Sequence, residues 1–346
     1  IRLNGADYVT IDGSNNGTNT RDLTIQNNNT SGSSVVWIGS VSVTDGATNN
    51  TIKNCKIQGG ANTVIGGILA GSALTLGGPA DAPNNNNTID NNAIKTVQNG
   101  IYNNGNAASN DQNWVITNNE FGSTVTAEKL TFRGLIVINM QNVTISGNTI
   151  TGVSSGLTST STMHGIQISG VMNGGTITKN KITDIRQNNT TGYAAAGITL
   201  GSSSTNANLT VSNNFISDVS AVGNSTASTN GHGIYAITGG GYNIYHNSVN
   251  QTVNQTSGVS SAIYFGSGLG TGSVDVRNNI FSNRQTAGGT RYAIYSDAPN
   301  TVFTNINYND YYCAAASSLG YIGSTVRTNL ADIQAGFGGN ANSTDF

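Results

Sequence analysis

The chain has 346 residues, of which 36% are apolar and only 9% charged, with a formal net charge of −2 and 45 glycines. This balance excludes a disordered chain, which combines weak hydrophobicity with strong net charge, and it argues against nucleic acid as a partner, because no Lys/Arg patch could displace phosphate counterions. No apolar run reaches the length of a membrane span, so no membrane insertion is expected.

In chain order, the first element is YVTIDGSNNGTNTRDLTI (8–25), two strand phrases around a polar loop, expected to form an N-terminal coil or cap over residues 1–30. Because residue 1 is isoleucine and the opening reads as mid-coil sequence, a piece of a longer multimodular protein is expected. A seven-residue phrase typified by TITKNKI (176–182) then recurs along the chain. With Ile177 as position zero, the anchors are Ile25, Ile52, Ile89, Ile116, Ile145, Ile177, Val211, Ile244, Val276 and Ile306. Position +3 is asparagine in nine of the ten copies, running from Asn28 through Asn92, Asn119, Asn148, Asn180, Asn214, Asn247 and Asn279 to Asn309, with Cys55 in the second copy. Position +5 is apolar in every copy but the first. Position +2 is Asn or Gly in seven copies, as a left-handed bend would favour.

Around each anchor, apolar and polar residues alternate with period two, as in NLTVSNNFISDV (208–219), which predicts strands. Between anchors lies a second phrase, such as GILA (67–70), GIQI (165–168), GIYA (233–236) and AIYS (293–296). Anchors stand 27 to 37 residues apart, so the strands are fixed and the loops adjustable. Several short strands per repeat, no helical period and Asn/Gly-rich turns predict an all-β fold: a right-handed parallel β-helix of about ten coils, one domain over residues 1–346. Handedness follows from the crossover rule for parallel strands. The +3 asparagines are expected at the bend between sheets, bonding turn backbone and the equivalent Asn one coil away. Near the C-terminus, residues 328–336 predict a short helix capped by Thr328 or Asn329, with Leu330 and Ile333 on one face and Gly336 as the stop. It would cover an otherwise open sheet edge.

The opening YVTIDGS followed by DLTIQN, the repeated NNTIKNCKI-like phrase and the closing LADIQ before NANS together resemble the right-handed β-helix repeat domains of large secreted bacterial proteins. The resemblance covers essentially the whole chain and implies a secreted or bacterial cell-surface location. Functions within such domains range over adhesin stalks, polysaccharide lyases and hydrolases, and carbohydrate-binding modules, among them a β-helix module attached to xylan-degrading enzymes. Cys55 and Cys313 lie about eight repeats apart, beyond disulfide reach at roughly 4.8 Å per strand. Cys55 is expected to be a buried packing thiol.

Catalytic chemistry is poorly provided for. A uronate lyase needs a carboxylate cluster for Ca²⁺ with a basic residue beside it, and the nearest approach is Asp184 with Asp218, on adjacent coils about 5 Å apart. Turn capping accounts for that pair, with calcium as the alternative; no other cofactor is expected. Gly231-His232-Gly233 resembles the Gly-His-Gly of polygalacturonases, but the paired aspartates that should precede it are absent. His164 precedes GIQI as His232 precedes GIYA, which suggests a histidine at a strand entrance. The outward position of the Gly-Ile-x phrase carries Trp37, Tyr102 and, on three consecutive coils, Tyr235, Tyr264 and Tyr295. Loops 220–232, 254–261 and 285–292 flank these tyrosines and add His232, Arg291 and Tyr292. Flat aromatic faces take the C–H faces of sugars, while phenol, amide and guanidinium groups take hydroxyls. The expectation is therefore a non-catalytic module that binds a neutral plant polysaccharide such as xylan through an exposed aromatic strip, tethered to a catalytic or surface-anchoring module. A structural stalk or adhesin segment is the alternative, and a lyase or hydrolase the third reading.

Overall fold

A computed structural model describes the chain apart from residues 31, 157, 191, 223–229, 316–317 and 346. The period-two alternation turns the anchors inward, and Ile52, Ile89, Ile116, Ile145, Ile177, Val211, Ile244 and Val276 are all fully buried. They stack one on the next in parallel register, as Ile116 on Ile145, Ile145 on Ile177 and Ile177 on Val211. The result is a parallel β-helix of about ten coils with three faces. The first face holds the Gly-Ile-x strands, from Arg2–Asn4 to Gly320–Ile322; the second holds the anchor strands, from Thr10–Asp12 to Phe303–Asn307; the third holds the +5 strands, from Leu23–Asn27 to Thr344–Asp345. In two coils the first-face strand continues unbroken into the second, as Arg133–Ser146 and Met163–Thr178. One apolar core runs through the coils from Leu3 to Phe337.

The bend between the second and third faces is made by positions +2 and +3. Position +2 has positive φ in nine consecutive coils: Asn54, Asn91, Asn118, Gly147, Lys179, Asn213, His246, Asn278 and Tyr308. Even lysine, histidine and tyrosine adopt the left-handed conformation there, so the bend is imposed by the stack rather than by local preference. Position +3 forms a buried ladder. Asn92 Nδ2 donates to Asn119 Oδ1 at 3.0 Å, and the bond repeats through Asn148, Asn180, Asn214, Asn247 and Asn279 to Asn309. The backbone N–H of each donor residue reaches the same oxygen, as Asn148 N does to Asn180 Oδ1 at 3.0 Å. Each amide also donates backwards, Asn180 Nδ2 to the Ile145 carbonyl at 3.0 Å, so one side chain ties three coils. At the start Cys55 N donates to Asn92 Oδ1, and at the far end Asn309 N donates to Ser343 Oγ. Cys55 is a buried free thiol donating to the Lys53 carbonyl, and Cys313 is also free.

The glycine that opens the Gly-Ile-x phrase marks a close approach across the interior. A Cβ on Gly100 would lie 2.3 Å from the Phe121 ring and 2.4 Å from the Gly134 carbonyl oxygen. The bulky +5 side chain therefore requires a bare Cα opposite.

Two sequence expectations need correction. In the first coil Ile11, not Ile25, pairs with Ile52, while Leu23 pairs with Cys55 and Ile25 with Ile57. Ile25 is thus a +5 residue and Asn28 lies outside the ladder. The loop between Thr10–Asp12 and Leu23–Asn27 separates two strands that are nearly contiguous in later coils, which shifted the apparent phase. The C-terminal helix, here α1, spans Leu330–Phe337, and its N-cap is Asn329, whose side chain accepts from Asp332 N at 3.0 Å. It runs through Gly336 to a cap at Gly338, because burial of Ile333 and Phe337 in the core outweighs the poor helix propensity of glycine.

Asp111 is a buried carboxyl inside an early coil. It accepts from Asn84 N at 3.1 Å and from Asn103 Nδ2 at 3.4 Å, yet burial pushes its pKa up to about 7.

Candidate functional site

The outward position of the first face forms one column, Trp37, Leu69, Tyr102, Ile136, Gln167, Thr199, Tyr235, Tyr264, Tyr295 and Tyr321, each paired in register with the next. At its C-terminal end the tyrosines make an apolar cluster separate from the core, containing Tyr264, Tyr292 and Tyr295, with Tyr235, Tyr321 and Val259 packed against it. Strand spacing fixes the ring spacing. Tyr264 and Tyr295 stack with centroids 5.4 Å apart and planes within 7°, and Tyr295 and Tyr321 stack at 4.5 Å and 6°. The strip expected to be exposed is therefore largely closed: the stacked faces of Tyr264 and Tyr295 and the tilted contacts of Tyr292 leave these rings only 2%, 6% and 4% exposed. Tyr235 and Tyr321, at the two ends, are half-buried.

His232 is fully buried beside this cluster, its ring 5.2 Å from Tyr235 and 4.7 Å from Tyr264, with Nδ1 2.8 Å from Ser261 Oγ. The Ser–His contact superficially suits a nucleophile and base, but Ser261 is fully buried too, so no substrate reaches it as it stands. His164 repeats the arrangement two coils earlier, with Nδ1 2.7 Å from Thr199 Oγ1. Burial depresses His164 to about 3, with the Arg133 charge adding to the effect. Both histidines sit at the entrances of their strands.

The Tyr264 hydroxyl donates to Asp297, an exposed carboxylate two residues beyond Tyr295. Burial first, and then Asp297, raises Tyr235 to about 12 and pushes Tyr264 and Tyr295 up as well. These phenols stay protonated and act as hydrogen-bond donors at any ordinary pH.

The remaining sequence candidates are dispersed. Arg291 turns its guanidinium toward the Gly288 and Gly289 carbonyls at 3.4 and 3.3 Å. Trp37 lies six coils from Tyr235; its Nε1 donates to the Ser72 carbonyl at 3.1 Å and Arg2 lies over its ring. Tyr102 is half-buried four coils from Tyr235. Of the flanking loops, 220–232 includes 223–229, which lie outside the described residues. Asp184 and Asp218 both take φ of 56°, Asp184 inside the strand Lys181–Gln187 and Asp218 between the strands Phe215–Ser217 and Val219–Ala221. Asp184 pairs with Lys129 at 2.6 Å and Arg186 at 3.0 Å, and Asp218 accepts from the Thr252 hydroxyl. Among the described residues no group of three His, Cys, Asp or Glu is placed to hold a metal ion. Sequence reasoning missed Tyr321 and Asp297. Tyr321 sits in GYI rather than GIY, so the motif hid it although the register aligns it with Tyr295.

The two buried ionisable groups give opposed pH effects. Asp111 is raised from 3.8 to about 7, so its contribution is fully present below pH 3.8 and is lost as pH rises towards 7. His164 is lowered from 6.5 to about 3, so its contribution is present above pH 6.5 and is lost as pH falls towards 3. Each change is worth about 3 kcal/mol between pH 4 and 6.5. Denaturant unfolding over that range should show stability rising with pH in Asp111→Asn and falling with pH in His164→Asn. Parallel slopes in the two variants would refute the assignment.

Comparisons with protein-family models, curated proteins and solved structures found no match to this chain.

Proposed function

We propose that the chain is a non-catalytic polysaccharide-binding module that takes a neutral plant polysaccharide, such as xylan, along the tyrosine column of the first face. The observation that carries this reading is the aromatic cluster outside the solenoid core, repeating along the coil axis at strand spacing beside the exposed carboxylate of Asp297. A linear glycan laid along the axis would meet phenol hydroxyls at strand spacing and the single carboxylate of Asp297. Because the faces of Tyr264 and Tyr295 are closed by stacking, ring edges and hydroxyls would make the contacts there, and the half-open rings of Tyr235 and Tyr321 would offer faces. Tethering to a catalytic or anchoring module outside the cell belongs to the same proposal.

A stalk segment is the second reading, and the face-to-face stacking of Tyr264, Tyr295 and Tyr321 favours it, since it clamps three successive coils without any ligand. Affinity electrophoresis against xylan, mannan, glucan and pectin separates the two. Retardation on a neutral glycan, reduced at least tenfold by Tyr235→Ala with Asp297→Asn, supports binding. Retardation on none of the four, together with a lowered melting temperature in Tyr264→Ala, supports the stalk.

A further inference from the structure

The third face carries a charged cleft in its N-terminal half, away from the tyrosine column. It has a volume of about 330 Å³ and is lined by Arg21, Lys56, Gln58, Ala93, Lys95 and Glu120, closed on one side by Glu128. That volume is at the lower end of small-molecule sites. Few residues in the chain are charged, and five of them converge here.

The strand register builds the cleft. Lys56, Ala93 and Glu120 are stacked outward positions on three successive coils, as are Gln58 and Lys95 on two. The alanine stub between a lysine and a glutamate leaves a dip whose two charged walls stand about 10 Å apart, two strand spacings. Two excursions of the chain form the rims. From the loop after Thr10–Asp12, Arg21 donates Nε to the Asn91 carbonyl at 2.9 Å and Nη2 to Asn91 Oδ1 at 2.8 Å, and pairs with Glu120 at 2.9 Å. From the turn Thr126–Glu128, Glu128 pairs with Lys95 at 2.7 Å. These bonds fix the rims in the absence of any ligand.

The charge count is uneven. Arg21 and Lys95 are each matched by a glutamate, while Lys56 has no ion-pair partner among the described residues. The cleft thus offers one cation outside any ion pair, Lys56, whose charge Asp22 feels only at longer range, two carboxylates with lone pairs left for hydroxyl donors, an amide at Gln58 and an apolar floor at Ala93. We propose that this cleft binds a sugar acid, with the ligand carboxylate at Lys56, its hydroxyls donating to Glu120 and Glu128, and its C–H face over Ala93. The site goes beyond the tyrosine column and does not depend on it.

Ligand-observed NMR titration with D-glucuronate, D-glucose and acetate tests the proposal. Saturable millimolar binding of glucuronate is expected, with glucose and acetate at least tenfold weaker and all binding weakened by salt. Lys56→Ala should weaken glucuronate at least tenfold, and Lys56→Arg should retain it. Since Lys56 is exposed, an unchanged melting temperature will show that the variant is folded. The Tyr235→Ala, Asp297→Asn protein should bind glucuronate as the parent does. The proposal is overturned by absence of saturable glucuronate binding, by acetate or glucose binding equally well, or by full binding in Lys56→Ala. Loss in the tyrosine-column variant with retention in Lys56→Ala would instead assign the sugar acid to the first face.

Discussion

The Asn180→Ala protein is expected to lose about 4 kcal/mol of unfolding free energy, far more than removal of a small polar side chain would cost at a surface. Asn180 Oδ1 is the acceptor for both the backbone N–H and the side-chain amide of Asn148, each at 3.0 Å. Its amide in turn serves Asn214 Oδ1 and the Ile145 carbonyl. Alanine leaves the Asn148 N–H and the Ile145 carbonyl without these partners in a site closed to water. Each orphaned buried group costs about 1–3 kcal/mol. Aspartate cannot rescue the position, because a carboxylate has no proton for Asn214 and would be buried as a charge. Denaturant unfolding gives the size of the loss, and hydrogen exchange at Asn148 locates it. A loss below about 1 kcal/mol would show that the ladder is ornamental to the stack.

The second large effect is expected at the C-terminal seal. Ile333 is fully buried and Phe337 nearly so, both within the core cluster that runs through the coils. The Ile333 side chain lies so close to Gly320 that a Cβ there would sit 2.4 Å from it. Ile333→Asp would place an unpaired carboxylate against the last coils, at a cost of several kcal/mol. Release of α1 would uncover the apolar end of the stack and loosen the antiparallel strand Thr325–Arg327 that covers Gly320–Ile322, and a sheet edge so exposed pairs with other chains. The variant should self-associate in light scattering and lose exchange protection in Thr290–Ser296 and Gly320–Ile322, whereas Ile333→Leu should remain monomeric at a cost of about 1 kcal/mol. A monomeric Ile333→Asp protein with those strands protected would remove the sealing role from α1.

The solenoid was readable because its determinants are local and repeated. An anchor, a left-handed bend and a buried amide recur in fixed order, and each appears in the sequence within four residues. The phase of the first coil was misread because a loop parts Ile11 from Leu23, so the familiar spacing appeared one strand too late. Helix α1 outran Gly336 because the stop signal is weak against burial of Phe337. The tyrosine column was also legible as a column, since period two fixes which side chains point out of the sheet. What the sequence did not carry is how much of each ring stays open. Exposure depends on neighbours that register brings together from far along the chain, as Tyr321 closes one face of Tyr295 and His232 packs on Tyr264. The charged cleft was missed for the same reason: Arg21, Ala93 and Glu128 have no relation in sequence.

The ladder bonds have a direction. Every amide bond between neighbouring asparagines donates toward the C-terminus, and each junction repeats the preceding one to within about 0.1 Å. A coil therefore meets its neighbours through the same chemical joint wherever it stands, with a donor ahead and an acceptor behind. Length becomes a free variable of this architecture. Cutting out one whole turn between two equivalent asparagines would join compatible ends, while a cut out of phase would put another residue at the ladder position and leave the flanking donor and acceptor unmatched. Gain or loss of complete turns is then the cheapest large change open to such a chain, and for turns between them it moves the cleft and the tyrosine cluster nearer or farther apart along the axis in steps of one strand.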